Sequence, residues 1–474
     1  MSTFSGLNTA YTGLLAARQG LDVVGQNVAN ANTVGYTRQR VTTSAIGALG
    51  QVGLLASTHQ AGGGVTVDSI ARLGNVHLDA RVRSSAGIAG FSAVRANVLA
   101  GIEGSLREPG KNGLSAQLQT FWASWQGLSN STGVPAAGGI VLEQAGVLTS
   151  QIARGYDEID AQWSQLRGEL GGMADELNAA AAQVADLNVT IRSTLASGGS
   201  VNELLDQRNS LATTISALTG ATVAERPDGT IDVLIAGNAI VSGDTVRPVT
   251  VTGAFSMDGA ADVPVRLEWA HRPGSSVALT GGEIAGAVSM LAPADAARTG
   301  GSLAESAQAF NDLATAIAVQ VNAVHRTGAT TSGVTALDFF AVSATGPAAR
   351  GLSVVPTEVG QIAASAPGAG GLDGSIADAI SQIGTSAISP DRIWAGFVTR
   401  TGVEARTELQ QAALAELAAA SASGAQLAGA SVDLDEENIS LVTYQSAYQG
   451  AARVMTAIDE MLDTLINRTG IVGR

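Results

Sequence analysis

The sequence predicts an α+β multidomain protein with paired N- and C-terminal coiled-coil helices, a long-helix middle domain and a β-rich inserted domain. Three observations lead there. Both chain ends carry a seven-residue repeat of apolar or small side chains. A third repeat of the same period runs without proline from about residue 140 to 196. Between residues 221 and 282 the period changes from helix to strand. At 474 residues the chain also exceeds what one hydrophobic core supports.

The N-terminal repeat places Leu7, Leu14, Leu21 and Val28 seven apart, with Ala10, Ala17, Val24 and Ala31 three residues behind each. That 3–4 spacing is the seam of a coiled coil. The helix should stop near residue 31, because Asn27, Asn30 and Asn32 are poor helix-interior residues and Gly35 can take the left-handed turn that follows. At the other end Leu441, Tyr448, Met455 and Leu462 lie on one line, with Tyr444, Ala451, Ile458 and Leu465 on the next. Asp433, Asp435, Glu436 and Glu437 crowd the first turns, where negative charge suits the helix dipole. Two such stripes predict that the chain closes on itself and pairs its ends. Ordering so many residues against so narrow a stripe is costly. The ends are therefore expected to be disordered in the free chain and to fold against neighbouring subunits.

Residues 36 to 84 read as extended, with VTVDSI (65–70) a strand and Gly62 to Gly64 a hinge. Helical pattern returns near residue 85. In the long repeat Ile152, Ile159, Leu166, Met173, Ala180 and Leu187 are accompanied by Tyr156, Trp163, Leu170, Leu177, Val184 and Ile191. This predicts a rod roughly 85 Å long at about 1.5 Å per residue. A shorter helix, VNELLDQRNSLATTISALTG, ends at Gly220. TVAE, TIDVLIA and AIVSGD then read as a meander with Asp228-Gly229 as a turn, and VTVTG, VPVRLEWA and SSVALT continue the strand character. Helices return at EIAGAVSML and at 301–326, with DFFAV and GLSVVP as short strands beyond. Ser389-Pro390 opens an Ala-rich helix expected to reach about residue 422. The implied domains are 1–40 with 433–474, 41–220 with 283–432, and 221–282.

Composition excludes several function classes. Acidic residues outnumber basic ones by 41 to 26, a net charge of −15, which argues against nucleic-acid or anionic-membrane partners. No uninterrupted apolar run reaches the length of about 18 residues expected of a membrane span, so no membrane insertion is expected. The start MSTFSGLNTAYTG lacks the basic and apolar regions of a cleaved secretory signal. There is no cysteine. His59, His77, His271 and His325 are far apart and form no ligand motif. There is no GxSxG after a strand and no P-loop. DLDEEN (433–438) reads as a dipole-stabilised helix start rather than a cation site, and Asp206-Gln207-Arg208 as a surface or interdomain salt link rather than a catalytic pair. No catalytic, metal or cofactor-binding residue is expected, and no cofactor.

Two stretches carry a resemblance. NVANANTVGYTRQ (27–39) resembles the N-terminal signature of the bacterial flagellar axial proteins, and DEENISLVTYQSAYQGAARVM (435–455) their closing motif. The matching positions include Asn27, Asn30, Asn32, Gly35, Tyr36, Gln445 and Tyr448. Val34 departs from the proline that many relatives carry. FWASWQGLSN (121–130), NELLDQRNSLATTIS (202–216), GGEIAGAV (281–288), VNAVHRTG (321–328) and DTLINR (463–468) look like the hook-associated members. The resemblance implies a structural, non-enzymatic subunit of the hook–filament junction. It would be exported by the flagellar type III system and assembled outside the cell at the hook tip. The implied partners are other copies of itself in a ring or helical assembly, the hook protein, a second junction protein and an export chaperone. The assembly interface would be formed by Leu7, Leu14, Leu21, Val24, Val28, Leu441, Tyr444, Tyr448, Met455, Ile458, Leu462 and Leu465. A sister axial subunit such as the hook protein is the alternative; the LLDQR segment and its meander argue against it.

Overall fold

The computed structural model describes residues 3–47 and 62–468. The sequence around His59 and the final residues 469–474 lie outside the described residues. The chain opens with α1 (Thr3–Ala29), which packs against the last helix, α11 (Leu434–Asp463). An antiparallel pair of strands follows, β1 (Gln39–Ile46) on β2 (Gly64–Arg72), and packs against α1. The ends are thus continuous helices paired with one another. The reason is polar as well as apolar, since both helices are also fastened at one end by the ion pairs described below.

The body begins earlier than expected. α2 (Val76–Leu106) starts at residue 76 rather than 85, because Asn75 caps it: its Oδ1 accepts from the amides of His77 (2.9 Å) and Leu78 (3.4 Å). α10 (Pro390–Ala430) lies antiparallel along α2, with Arg95 ion-paired to Glu408 at 2.7 Å and Gln426 bonded to Asp79. Ser389 caps α10, its hydroxyl accepting from the Arg392 amide at 3.2 Å. The helix continues eight residues past the expected end at 422, since Ala-rich sequence carries no stop signal there. By length and average composition α2 could cross a membrane, although no uninterrupted apolar run is that long. Its scattered Ala, Val, Leu and Ile residues raise the average. In the fold it packs on α10, on α5 (Asn202–Thr219) and on α6 (Gly282–Met290).

Between these lie α3 (Leu114–Asn130) and α4 (Pro135–Ala196). The 62 residues of α4 make a rod of roughly 93 Å at about 1.5 Å per residue. Its heptad lines are buried from Ile152 to Ile191 except at Met173 and Leu187, which are half-buried, and its glycines do not interrupt it. The strands β3 (Thr222–Glu225), β4 (Ile231–Ile235), β5 (Asn238–Ser242) and β6 (Thr245–Val246) form an antiparallel meander. β7 (Val249–Thr252) and β8 (Arg266–Trp269) form a separate pair. The expected strand at SSVALT is absent; only a single bridge joins Ser276 to Glu268. Two asparagines on one face of α4 hold these strands. Asn178 donates to the carbonyl and accepts from the amide of Val249, at 2.8 and 2.9 Å. Asn188 does the same for Ile231, at 2.9 and 3.1 Å.

α7 (Ser302–His325), β9 (Phe340–Val342), α8 (Ala348–Gly351), β10 (Leu352–Val354) and α9 (Ser375–Ser381) complete the body. Its aromatic centre joins Phe121, Trp122 and Trp125 of α3 to Phe339 and Phe340. His325 sits edge-on to this group, fully buried. Its Nε2 accepts from the Ala363 amide at 3.0 Å, so the ring proton is on Nδ1, 2.8 Å from the Leu337 carbonyl. Burial pushes its pKa below the ordinary histidine value. The unfolded chain therefore binds a proton near pH 6.5 that the folded chain refuses, and stability falls as pH drops from about 6.5 toward the depressed folded value. The unfolding free energy of the wild-type chain, read from urea titrations, should fall across this window with a slope contribution of at most about 1.4 kcal/mol per pH unit, absent from His325→Asn. Parallel pH profiles for the two proteins would refute this.

Candidate assembly interface

Glycine decides how α1 meets α11. Gly6, Gly13, Gly20 and Asn27 are spaced by seven along α1, and Glu437, Tyr444, Ala451 and Ile458 are spaced by seven along α11. A Cβ on Gly20 would lie 2.4 Å from the Tyr444 ring, and one on Gly6 would lie 3.3 Å from Cδ1 of Ile458. Asn27 bonds Glu437. The helices are therefore antiparallel with these lines facing each other, and glycine lets the Tyr444 ring lie against the α1 backbone.

The leucine line sits beside this contact instead of at its centre. Leu7, Leu14 and Leu21 are half-buried, Val28 is exposed, and Ala10, Ala17 and Val24 are buried. On α11 Ile458 is buried, Leu441, Tyr444, Met455 and Leu462 are half-buried, and Tyr448, Leu465 and Gln445 are exposed. α11 also presents Ile439 (69% exposed), Val442, Val454 and Met461 outward as exposed apolar side chains. The expected line Tyr444, Ala451 and Ile458 lies at the contact, whereas on α1 the expected leucine and alanine lines missed the glycines, although their heptad spacing was visible.

One end of the pair is closed by a polar cluster. Asn27, 1% exposed, uses its whole side chain. Its amide donates to the Gln39 carbonyl (2.9 Å) and to Glu437 Oε2 (3.1 Å), and its Oδ1 accepts from the Tyr36 hydroxyl (2.9 Å) and the Gln39 amide (3.0 Å). Glu437, 2% exposed, accepts from Arg38 Nε at 2.7 Å, and Arg38 also pairs with Glu436. Burial works against the Arg38 charge, but the bond to Glu436 and the charge of Glu437 hold its pKa above the ordinary value. Tyr36 is pushed up to about 12, first by burial and then by the charges of Glu203, Asp206 and Glu437. Asp433 caps α11, its Oδ1 accepting from the amides of Asp435 and Glu436. The acidic start of α11 thus does more than match the helix dipole: Glu436 and Glu437 are ligands for the other end of the chain.

The cluster continues into the body. Asp206 accepts from the Thr37 amide at 2.9 Å and pairs with Arg72, which lies 3.8 Å from Asp79. Gln39 Nε2 donates to Glu203 at 3.0 Å, and Asn202 donates to Gln39 Oε1 and to the Ile70 carbonyl, both at 3.0 Å. Asp206 and Arg208 are buried rather than at the surface, and serve different elements: Arg208 bonds Asn188 and the Gly229 carbonyl. After α1, Asn30 bonds back to Gln26 and accepts from Thr33, Asn32 is exposed, and Gly35 takes φ +82°. A groove of about 700 Å³ lies between this turn and α4 and α5. Fully exposed Val34 sits at its rim. Among the described residues no group of three or more His, Asp or Glu is placed to hold a metal ion.

The family model for the flagellar hook-associated protein FlgK helical domain matches residues 99–340, more than half of the chain. The chain belongs to the FlgK family. Models for the flagella basal body rod protein and for the C-terminal region of the flagellar basal body rod FlgEFG proteins match residues 7–37 and 424–468, the two ends that meet in the cluster. Flagellar hook-associated protein 1 of Bacillus subtilis (strain 168) is 29% identical over 520 aligned positions, covering all of both chains. The Escherichia coli (strain K12) protein of the same name is 26% identical over 71% of this chain and 60% of its own length. The solved FlgK of Burkholderia pseudomallei, a flagellar hook junction protein, superposes with a TM-score of 0.61 at 14% identity, over 74% of this chain and 99% of that one. FlgK-family chains are structural parts of the flagellum, not enzymes.

Proposed function

We propose that this chain is the hook–filament junction subunit of an extracellular bacterial flagellum. The observation that carries the reading is the FlgK helical-domain match over residues 99–340, because the rod-protein motifs at the two ends are common to axial subunits and do not separate them. The chain divides as 1–40 with 433–474, 41–220 with 283–432, and 221–282. The first of these units makes the contacts between subunits. Leu7, Leu14, Leu21, Val24, Val28, Leu441, Tyr444, Tyr448, Met455, Ile458, Leu462 and Leu465 form the assembly interface, some within the α1–α11 pair and others, such as Val28 and Leu465, against neighbours. The outward apolar residues of α11 support this, since a surface of that kind on an elongated helix calls for a partner. The partners are other copies of the chain, the hook protein and a second junction protein, with a chaperone before export. Deleting the gene should leave intact hooks without filaments and release filament subunits into the medium, as seen by electron microscopy and immunoblotting. Normal filaments would refute the junction assignment, and missing hooks would favour a hook subunit.

A further inference from the structure

We propose that Asn27, Arg38 and Glu437 form a clasp that fixes the antiparallel register of α1 against α11 and fastens the pair to the body. The rest of the seam cannot set that register alone. Gly6, Gly13 and Gly20 repeat every seven residues, as do Tyr444, Ala451 and Ile458. A slip of one heptad puts Tyr444 against Gly13, where a Cβ would meet nothing within 4 Å and the ring finds room. Small residues therefore accept either alignment.

The polar end does not. A slip by seven in one direction sets Glu437 against Gly20; in the other it sets Asn27 against Tyr444. Either way a carboxylate buried to 2% exposure loses Asn27 and Arg38 together, and the Asn27 amide loses an acceptor. A single buried polar position in an otherwise apolar seam is a known way to specify one register at some cost in stability.

The same residues carry the attachment. The continuous apolar core of the body runs from Leu99 to Ala405 and, among the described residues, includes none from α1 or α11. The Arg38 amide donates to the Ala430 carbonyl at the end of α10 (2.8 Å), and its carbonyl accepts from the Leu73 amide before α2 (2.9 Å). Thr37 reaches Asp206 on α5. The clasp thus ties both stretches matched by the rod-protein models to α2, α5 and α10 through hydrogen bonds and charge.

The absence of cysteine makes a direct test possible on the purified full-length chain. Gly20→Cys with Tyr444→Cys reports the observed register, and Gly13→Cys with Tyr444→Cys reports the slipped one. Intramolecular disulfide formation is followed in dilute protein on non-reducing gels. With the clasp intact the first pair should oxidise faster by about tenfold or more, the preference expected when slippage strands a buried charge. Adding Asn27→Leu and Glu437→Leu, which keep the seam apolar, should bring the two rates together while the melting of the body stays put. Arg38→Gln should narrow the ratio in the same direction. An unchanged ratio in the double leucine variant would overturn the proposal. So would loss of both cross-links in that variant, which would make the polar pair a source of pairing rather than of register, or absence of both in the chain with the clasp intact.

Discussion

Replacing Ile458 with Asp should abolish motility while leaving the main melting transition of the purified chain almost unmoved. Ile458 is the one large apolar side chain of α11 that is buried, and it lies against Gly6, which offers nothing to pair with a carboxylate. An unpaired charge there costs several kcal/mol in each subunit. In a repeating assembly the cost recurs at every position, so incorporation at the hook tip fails. The body is insulated because its apolar core includes no residue of either terminal helix among the described residues. Leu21→Asp, on the half-buried line of α1, should act the same way but more weakly. The decisive comparison sets complementation of a deletion strain against thermal unfolding of the same variant. Normal swimming by Ile458→Asp would remove this stripe from the assembly interface; collapse of the main transition would place it in the central core.

Much of this architecture was legible because its largest elements follow one simple period. The α4 rod repeats apolar residues every seven for most of its length, and no competing signal interrupts it. The meander was visible through Asp228-Gly229, where Gly229 takes φ +82° and Asp228 accepts from the Thr230 amide at 3.1 Å. What escaped was set by single side chains acting across long sequence separations. Asn75 starts α2 nine residues before apolar periodicity announces it. The seam of α1 was placed on its leucines because size is what a heptad search rewards, whereas close approach of two helices rewards glycine. Glu437 looked like one more charge at a helix start. Its bond to Asn27 spans 410 residues, and no local pattern encodes a contact of that kind. The family motifs marked the right stretches without giving the reason. The structure supplies it: Asn27, Tyr36, Arg38 and Gln39 of one motif meet Glu436 and Glu437 of the other.

Asn188→Leu should destabilise the body by about 3–5 kcal/mol, the range for breaking a buried, hydrogen-bonded charge site by removing one partner. Asn188 is fully buried on α4 and makes four hydrogen bonds. Its amide donates to the carbonyls of Ile231 (2.9 Å) and Gly243 (2.7 Å), and its Oδ1 accepts from the Ile231 amide (3.1 Å) and Arg208 Nη1 (2.9 Å). Leucine fills similar volume but satisfies none of these groups. The largest part of the loss falls on Arg208, whose guanidinium burial already lowers to a pKa of about 10 and which would keep only the Gly229 carbonyl at 2.7 Å. If that is the mechanism, adding Arg208→Met should recover much of the stability, since exchanging both partners for apolar groups is often nearly neutral where removing one is not. Urea unfolding of the two single variants and the double variant closes the cycle. Hydrogen exchange on β4 to β6 should quicken in Asn188→Leu ahead of exchange in α3, because the lost bonds hold the meander to the rod. A double variant as unstable as the sum of the two single ones would mean that Asn188 and Arg208 act independently, and that the strands rather than the stranded charge account for the loss.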